Sequence, residues 1–170
     1  MTDILKITKN DLDSEGYYTG DASAWQGAIE IEANLGWVRF KGSISATKYI
    51  EAKAGSGIEA GWGIKAGSGI KAGLGIKAGW GIKAGSGIKA GSGIKAGWGI
   101  KAGEGIEAGL GIKAGWGIVC KWISTPLRIF AGTCNWRLPT PEEMQVRAEL
   151  RRGVIAFGEH VPPAQERTEG

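Results

Sequence analysis

From Ile58 to Gly117 the chain repeats one pattern ten times without an insertion: apolar, charged, small, then two glycines around a variable residue, I-[KE]-A-G-x-G. The first positions are Ile58, Ile64, Ile70, Ile76, Ile82, Ile88, Ile94, Ile100, Ile106 and Ile112. A period of six matches neither the 3.6 residues of an α-helix nor a heptad. Two glycines per unit would also cost a helix about 2 kcal/mol per hexad relative to Ala. The pattern therefore predicts a short strand followed by a turn. Strand alternation sends Ile and Ala inward and the intervening Lys or Glu outward. The glycines are expected to supply positive φ at the corners.

The variable fifth slot carries a second period, because Trp62, Trp80, Trp98 and Trp116 recur every third hexad. If three hexads close one coil, these four stand in a single file with about 4.8 Å between neighbours. On these residues the chain resembles the left-handed parallel β-helix of hexapeptide-repeat proteins. That resemblance implies an all-β solenoid of triangular eighteen-residue coils, with an aliphatic residue pointing inward on each of three sides. Slot five shares its parity with Ile, and Ser, Leu or Glu fill the other fifth slots. The favoured expectation is an indole column packed inward. Rings leaning outward would instead make an aromatic strip for a partner protein, a sugar or unstacked bases.

Weaker units extend the pattern on both sides: Ile31 to Gly36, Ile44 to Ala46 and Ile50 to Ala52 upstream, Ile123 to Arg128 and Ile129 to Cys134 downstream. The organisation expected is an N-terminal segment and cap over 1–27 and a solenoid over 28–134, whose regular hexads run 58–117. A C-terminal cap over 135–160 and a disordered tail over 161–170, beginning about His160, complete it. The solenoid amounts to roughly six coils and about 28 Å of axis. Ile4, Leu5 and Ile7 are candidates for the first cap. For the second, Thr140-Pro141-Glu142-Glu143 reads as a capping box with Pro at the first helical position, predicting a short α-helix from Pro141 to about Arg152, ended by Gly153. A final strand, Val154 to Phe157, should follow.

Composition agrees with a regular backbone, since Gly supplies 31 of 170 residues, about twice its usual share. No run approaches the roughly 20 apolar residues of a membrane helix, and the first residues lack the order of a signal peptide, so a cytoplasmic protein without membrane contact is expected. With 21 Lys and Arg against 17 Asp and Glu, the net charge of +4 permits an acidic partner.

Material for catalysis is scarce. Acyltransferases are the best-known hexapeptide-repeat proteins, and the resemblance would then imply a His base at a coil edge. The only histidine is His160, outside the repeat and expected to be a solvated tail residue. Glu59, Glu104 and Glu107 lie scattered among lysines and read as charge relief rather than as an acid–base pair. Cys120 and Cys134 are too few and too far apart for zinc, and are expected to be buried thiols. No catalytic residue, metal or cofactor is assigned.

Candidate binding residues are more numerous. Eighteen-residue coils stack Lys65, Lys83 and Lys101 on one face, Lys77, Lys95 and Lys113 beneath Glu59 on another, and Lys71, Lys89 and Glu107 on the remaining one. Such files suit phosphates or an acidic protein surface, although outward positions of any solenoid need long polar side chains and Lys discourages edge aggregation. The C-terminal end adds Trp122, Trp136, Arg147, Arg151 and Arg152 where the repeat breaks, as a specificity surface or as a self-association cap. The function expected is a non-catalytic solenoid binding protein. It would be a phage or mobile-element inhibitor of a host nucleic-acid-handling or defence complex, such as an anti-CRISPR factor, acting on a protein or nucleoprotein with an acidic surface, or on nucleic acid. A bactofilin-like self-assembling scaffold is the alternative, with an acyltransferase or an ice-binding protein ranked below both. The resemblance also implies a homo-oligomer, a dimer or trimer.

Overall fold

The structure, a computed structural model, describes residues 3–164. Residues 1–2 and 165–170, which include most of the expected tail, lie outside the described residues. The chain winds as an all-β parallel solenoid of about 7 coils of roughly 18 residues. Its strands are β1 (Ile4–Ile7), β2 (Ala28–Ile31), β3 (Gly36–Phe40), β4 (Ile44–Ala46), β5 (Ile50–Ala52) and β6 (Ser56–Ala60). Nine further strands, β7 to β15, take one hexad each from Ile64–Ala66 to Ile112–Ala114. β16 (Ile118–Phe130), β17 (Gln145–Phe157) and β18 (Glu159–Val161) complete the series.

Registration follows the eighteen-residue coil. Ile82 pairs with Ile64 on one side and Ile100 on the other, and the same offset joins Ile88 to Ile70 and Ile94 to Ile76. Every third strand is therefore a neighbour, which makes the cross-section three-sided. The inward Ile residues from Ile58 to Ile112 are all 1% exposed or less, and the Ala residues two positions on are buried between them. Each Ile removed from water in this way stabilises the stack by about 1.5–3 kcal/mol. A lone coil would have nothing to pack against.

The glycines hold their places for a reason other than the expected one. Between 58 and 117 no residue has positive φ; the positive-φ glycines, Gly16, Gly27, Gly36, Gly55, Gly132, Gly153 and Gly158, lie outside the regular hexads. At slot four the constraint is contact between coils. A Cβ on Gly79 would collide with the carbonyl of Gly61, and one on Gly97 with that of Gly79. Coils stacked at strand spacing leave no room for a methyl group at that turn.

Both ends of the solenoid reach further than the sequence pattern does. β1 pairs in parallel with β2, matching Ile4 to Ala28 and Ile7 to Ile31, so the N-terminal cap is itself a strand on the first coil. At the other end the expected α-helix is absent. The Thr140–Glu143 box does form, with the Thr140 amide donating to Glu143 Oε2 at 2.9 Å, but it caps a single 3-10 turn, Glu142–Met144. Gln145 then leaves at φ −86°, ψ 140°, and β17 runs along β16. The reason is a period of two: Val146 and Ala148 are buried, Leu150 is partly buried, and Val146 and Leu150 pair with Ile118 and Ile123. A strand there satisfies the open edge of the last coil, which a helix would leave unpaired. His160 belongs to β18 and not to a solvated tail, with Nε2 2.9 Å from the Ala148 carbonyl oxygen.

Candidate functional site

The three Lys files occupy the outward slots that strand alternation assigns them, and the register separates the three faces by charge. On the first face the column reads Ser45, Lys65, Lys83, Lys101, Val119 and Arg147. It contains four cations and, among the described residues in register, no carboxylate. On the second face the column Lys6, Glu30, Glu51, Lys71, Lys89, Glu107, Ser124, Arg152 sets three carboxylates among four cations. Lys71 meets Glu51 at 3.1 Å and Lys89 meets Glu107 at 3.3 Å, so these two lysines are engaged within the protein. The third column runs Arg39, Glu59, Lys77, Lys95, Lys113. Arg39 pairs with Glu59 at 3.5 Å, and the Lys77 ammonium lies 4.4 Å from the Trp37 ring centroid.

Beside each Lys column the slot-six glycines form the floor of a shallow groove, and the three grooves are finished differently. On the third face the Trp37 indole lies over Gly57 and Gly75, leaving a cavity of about 290 Å³ that ends at Phe130. On the second, Trp122 covers Gly105 at one end and Tyr49 lines the other. The first-face groove, floored by Gly63, Gly81 and Gly99, has a volume of about 480 Å³ and is lined by Ser43, Ser45, Lys65, Lys83 and Lys101, with no aromatic ring in it. Backbone, hydroxyls and ammonium groups are what it offers.

The Trp file corrects the favoured expectation of an inward column. Trp62, Trp80, Trp98 and Trp116 stack on one another outside the core, with centroid separations of 5.4, 5.0 and 4.9 Å and interplanar angles of 8°, 3° and 11°. Slot five sits in the turn, where the amides of Trp80, Trp98 and Trp116 each donate to the carbonyl of the Trp one coil back, 3.0 Å for Trp80 to Trp62. Parity counted along a flat strand does not survive that corner. Ring on ring, the column shows its edges along its length and a full face only at its two ends.

Among the C-terminal candidates, Arg147 alone joins the first-face column. Arg151 lies over Trp122, its guanidinium 4.4 Å from the ring, and pairs with Glu149 at 3.4 Å. Arg152 registers with Ser124 on the second face, while Trp136 is exposed. These residues do not converge on one site. Glu104, read as charge relief, bonds Lys121 at 2.7 Å. Cys120 is buried, its Sγ donates to the Trp122 carbonyl oxygen at 3.2 Å, and burial pushes the thiol up to about 12; Cys134 is only half-buried. Sequence reasoning missed Arg137, Ser43 and Gly42, because each acts through a neighbour one coil away.

Fold and site together define a parallel β-solenoid with one basic column that has, among the described residues, no carboxylate in register. Comparison with protein-family models, with curated proteins and with solved structures gave no match. No helix among the described residues is long and apolar enough to cross a membrane.

Proposed function

We propose that this protein is a non-catalytic binding module that fastens its first face to a polyanion on a nucleic-acid-handling complex, as a phage or mobile-element inhibitor of a host defence complex would. The observation that carries this reading is the contrast between faces. Lys65, Lys83, Lys101 and Arg147 stand in one file without a carboxylate in register, beside a groove that no ring fills. On the other faces, carboxylates or indoles already occupy part of the cations. Like charges one strand spacing apart repel, and an anionic partner removes that cost. The paired strands hold the lysine backbones at a fixed interval, so the cost of ordering on binding falls on the side chains and not on the chain that carries them.

A fluorescently labelled single-stranded oligonucleotide and polyglutamate, titrated at several salt concentrations, test the reading. Replacing Lys65, Lys83 and Lys101 together with Gln should leave the circular dichroism unchanged. It should weaken binding and lower the salt slope for the oligonucleotide by about 2, at roughly 0.7 per phosphate contact. Lys71→Gln with Lys89→Gln should change the slope far less. Equal losses from the two sets, or wild-type binding by the triple variant, would refute the assignment to the first face. Inhibition of target cleavage by a reconstituted CRISPR interference complex, lost in the triple variant, is the corresponding functional readout.

A further inference from the structure

The Trp stack has two ends, and the chain finishes them differently. At the C-terminal end the outer face of Trp116 is covered by Arg137, whose guanidinium carbon lies 5.1 Å from the ring. Glu143 fixes that guanidinium by accepting from Nη1 at 2.8 Å and from Nη2 at 2.6 Å. A planar cation on a π face, gripped edge-on by a carboxylate, is how this chain closes its own column.

At the Trp62 end the next turn position is Gly42, whose carbonyl accepts the Trp62 amide at 3.2 Å. Glycine puts no side chain over the ring: a Cβ there would meet Trp62 Cε3 at 3.8 Å and nothing nearer. Trp62 is accordingly 53% exposed, against 44% for Trp80. A cavity of about 640 Å³ opens beside it, bounded by the loop from Tyr17 to Ser23. Asp13 and Asp21 both line this cavity, and backbone amides orient both carboxylates. Asp21 Oδ1 accepts from Ser23 at 2.8 Å, and Asp13 Oδ1 accepts from Glu15 and Tyr17 at 2.9 Å each. The Ser23 contact holds the Asp21 carboxyl below its ordinary range, so it is ionised at neutral pH. Lys41, also at the cavity, lies 5.7 Å from the Tyr17 ring.

We infer that the niche over Trp62 binds a guanidinium group, the arginine side chain of a partner protein, stacked on the indole as Arg137 is on Trp116, with Asp21 and Asp13 in the part of Glu143. The niche adjoins the first-face groove, with which it shares Ser23 and Ser43, but it uses none of Lys65, Lys83 and Lys101. A neutral base would gain from the ring but not from two carboxylates, and a nucleotide phosphate would be repelled by them.

The test is a titration of the full chain with N-acetylarginine amide, N-acetyllysine amide and adenosine monophosphate, followed by the indole N–H resonances, with Trp62 identified through Trp62→Phe. The arginine derivative should shift Trp62 saturably, and more tightly than the lysine derivative. Asp21→Asn keeps an acceptor for the Ser23 amide and should weaken arginine binding severalfold. Gly42→Phe places a ring of the chain's own in the slot and should abolish binding while the other indole resonances stay in place. No saturable shift of Trp62, adenosine monophosphate binding at least as tightly as the arginine derivative, or full binding by Asp21→Asn would each overturn the inference. Should Gly42→Phe fail to fold, the Asp21→Asn comparison decides the matter alone.

Discussion

Trp122 lies so close over Gly105 that a Cβ on the glycine would overlap the indole ring. The pair is shielded on its outer side by Arg151, 4.4 Å from the ring. Replacing Gly105 with Ala must lift Trp122 off its seat, and overpacking of this kind costs about 1–3 kcal/mol. At Gly63, the position on the first face, a Cβ would find its nearest atom at an ordinary 3.5 Å. Gly63→Ala should therefore change stability by no more than about 0.5 kcal/mol. Urea unfolding of the two variants checks the contrast, and equal losses would contradict the claim that a ring is seated on Gly105 and none on Gly63.

Ile82 is 1% exposed in the middle of the inward Ile stack. Ile82→Ala should cost about 2–5 kcal/mol. Ile82→Asp should cost more, because the stack offers a carboxylate no partner. Since each coil touches only its neighbours, amide exchange should accelerate first in the coils on either side of residue 82 and last at the poles. Uniform acceleration along the rod would count against nearest-neighbour coupling.

Arg137, with help from the Thr140 amide, holds the Glu143 carboxyl at about 2 against an ordinary 4.5. A carboxyl whose folded value is depressed contributes stability that is complete above its unfolded value and disappears as pH falls through the folded one. The clamp on Trp116 should thus weaken between about 4.5 and about 2. Near-ultraviolet circular dichroism of the stacked indoles should change over that window. In Glu143→Gln the transition should be missing and the high-pH spectrum already altered.

Thiol reactivity separates the two cysteines. Burial drives the Cys120 thiol up to about 12, leaving almost no thiolate near neutrality, whereas Cys134 is half-buried. Iodoacetamide at mildly alkaline pH should label Cys134 first, and peptide mass spectrometry will show the order. Faster labelling of Cys120 would mean that the last coils open more readily than their packing implies.

The coil, its register and the three Lys columns were legible in the sequence because one offset of eighteen, visible in Trp62 and Trp80, fixes which residues become neighbours. What the sequence concealed lies at corners and ends. Counting alternation through the turn put the indoles inside, whereas the turn resets the direction of slot five. Thr140 and Glu143 form the hydrogen bonds that open a helix, yet Val146, Ala148 and Leu150 continue with a period of two. A local cap was outvoted by an unpaired sheet edge thirteen residues long. The contrast between the Lys columns was hidden for a related reason: Glu51 and Glu107 are far apart in the chain but flank Lys71 and Lys89 on the same side of the rod.

The eighteen-residue register also governs how such a gene can change length. Loss or duplication of eighteen codons within the uniform segment shortens or lengthens the rod by one storey and returns every later side chain to its own wall. A slip of six codons, a single hexad lost, would turn everything downstream by one wall and set Lys113 under Lys89 and Trp116 under Ser92. Copy-number drift in this repeat is therefore silent in threes and ruinous in ones.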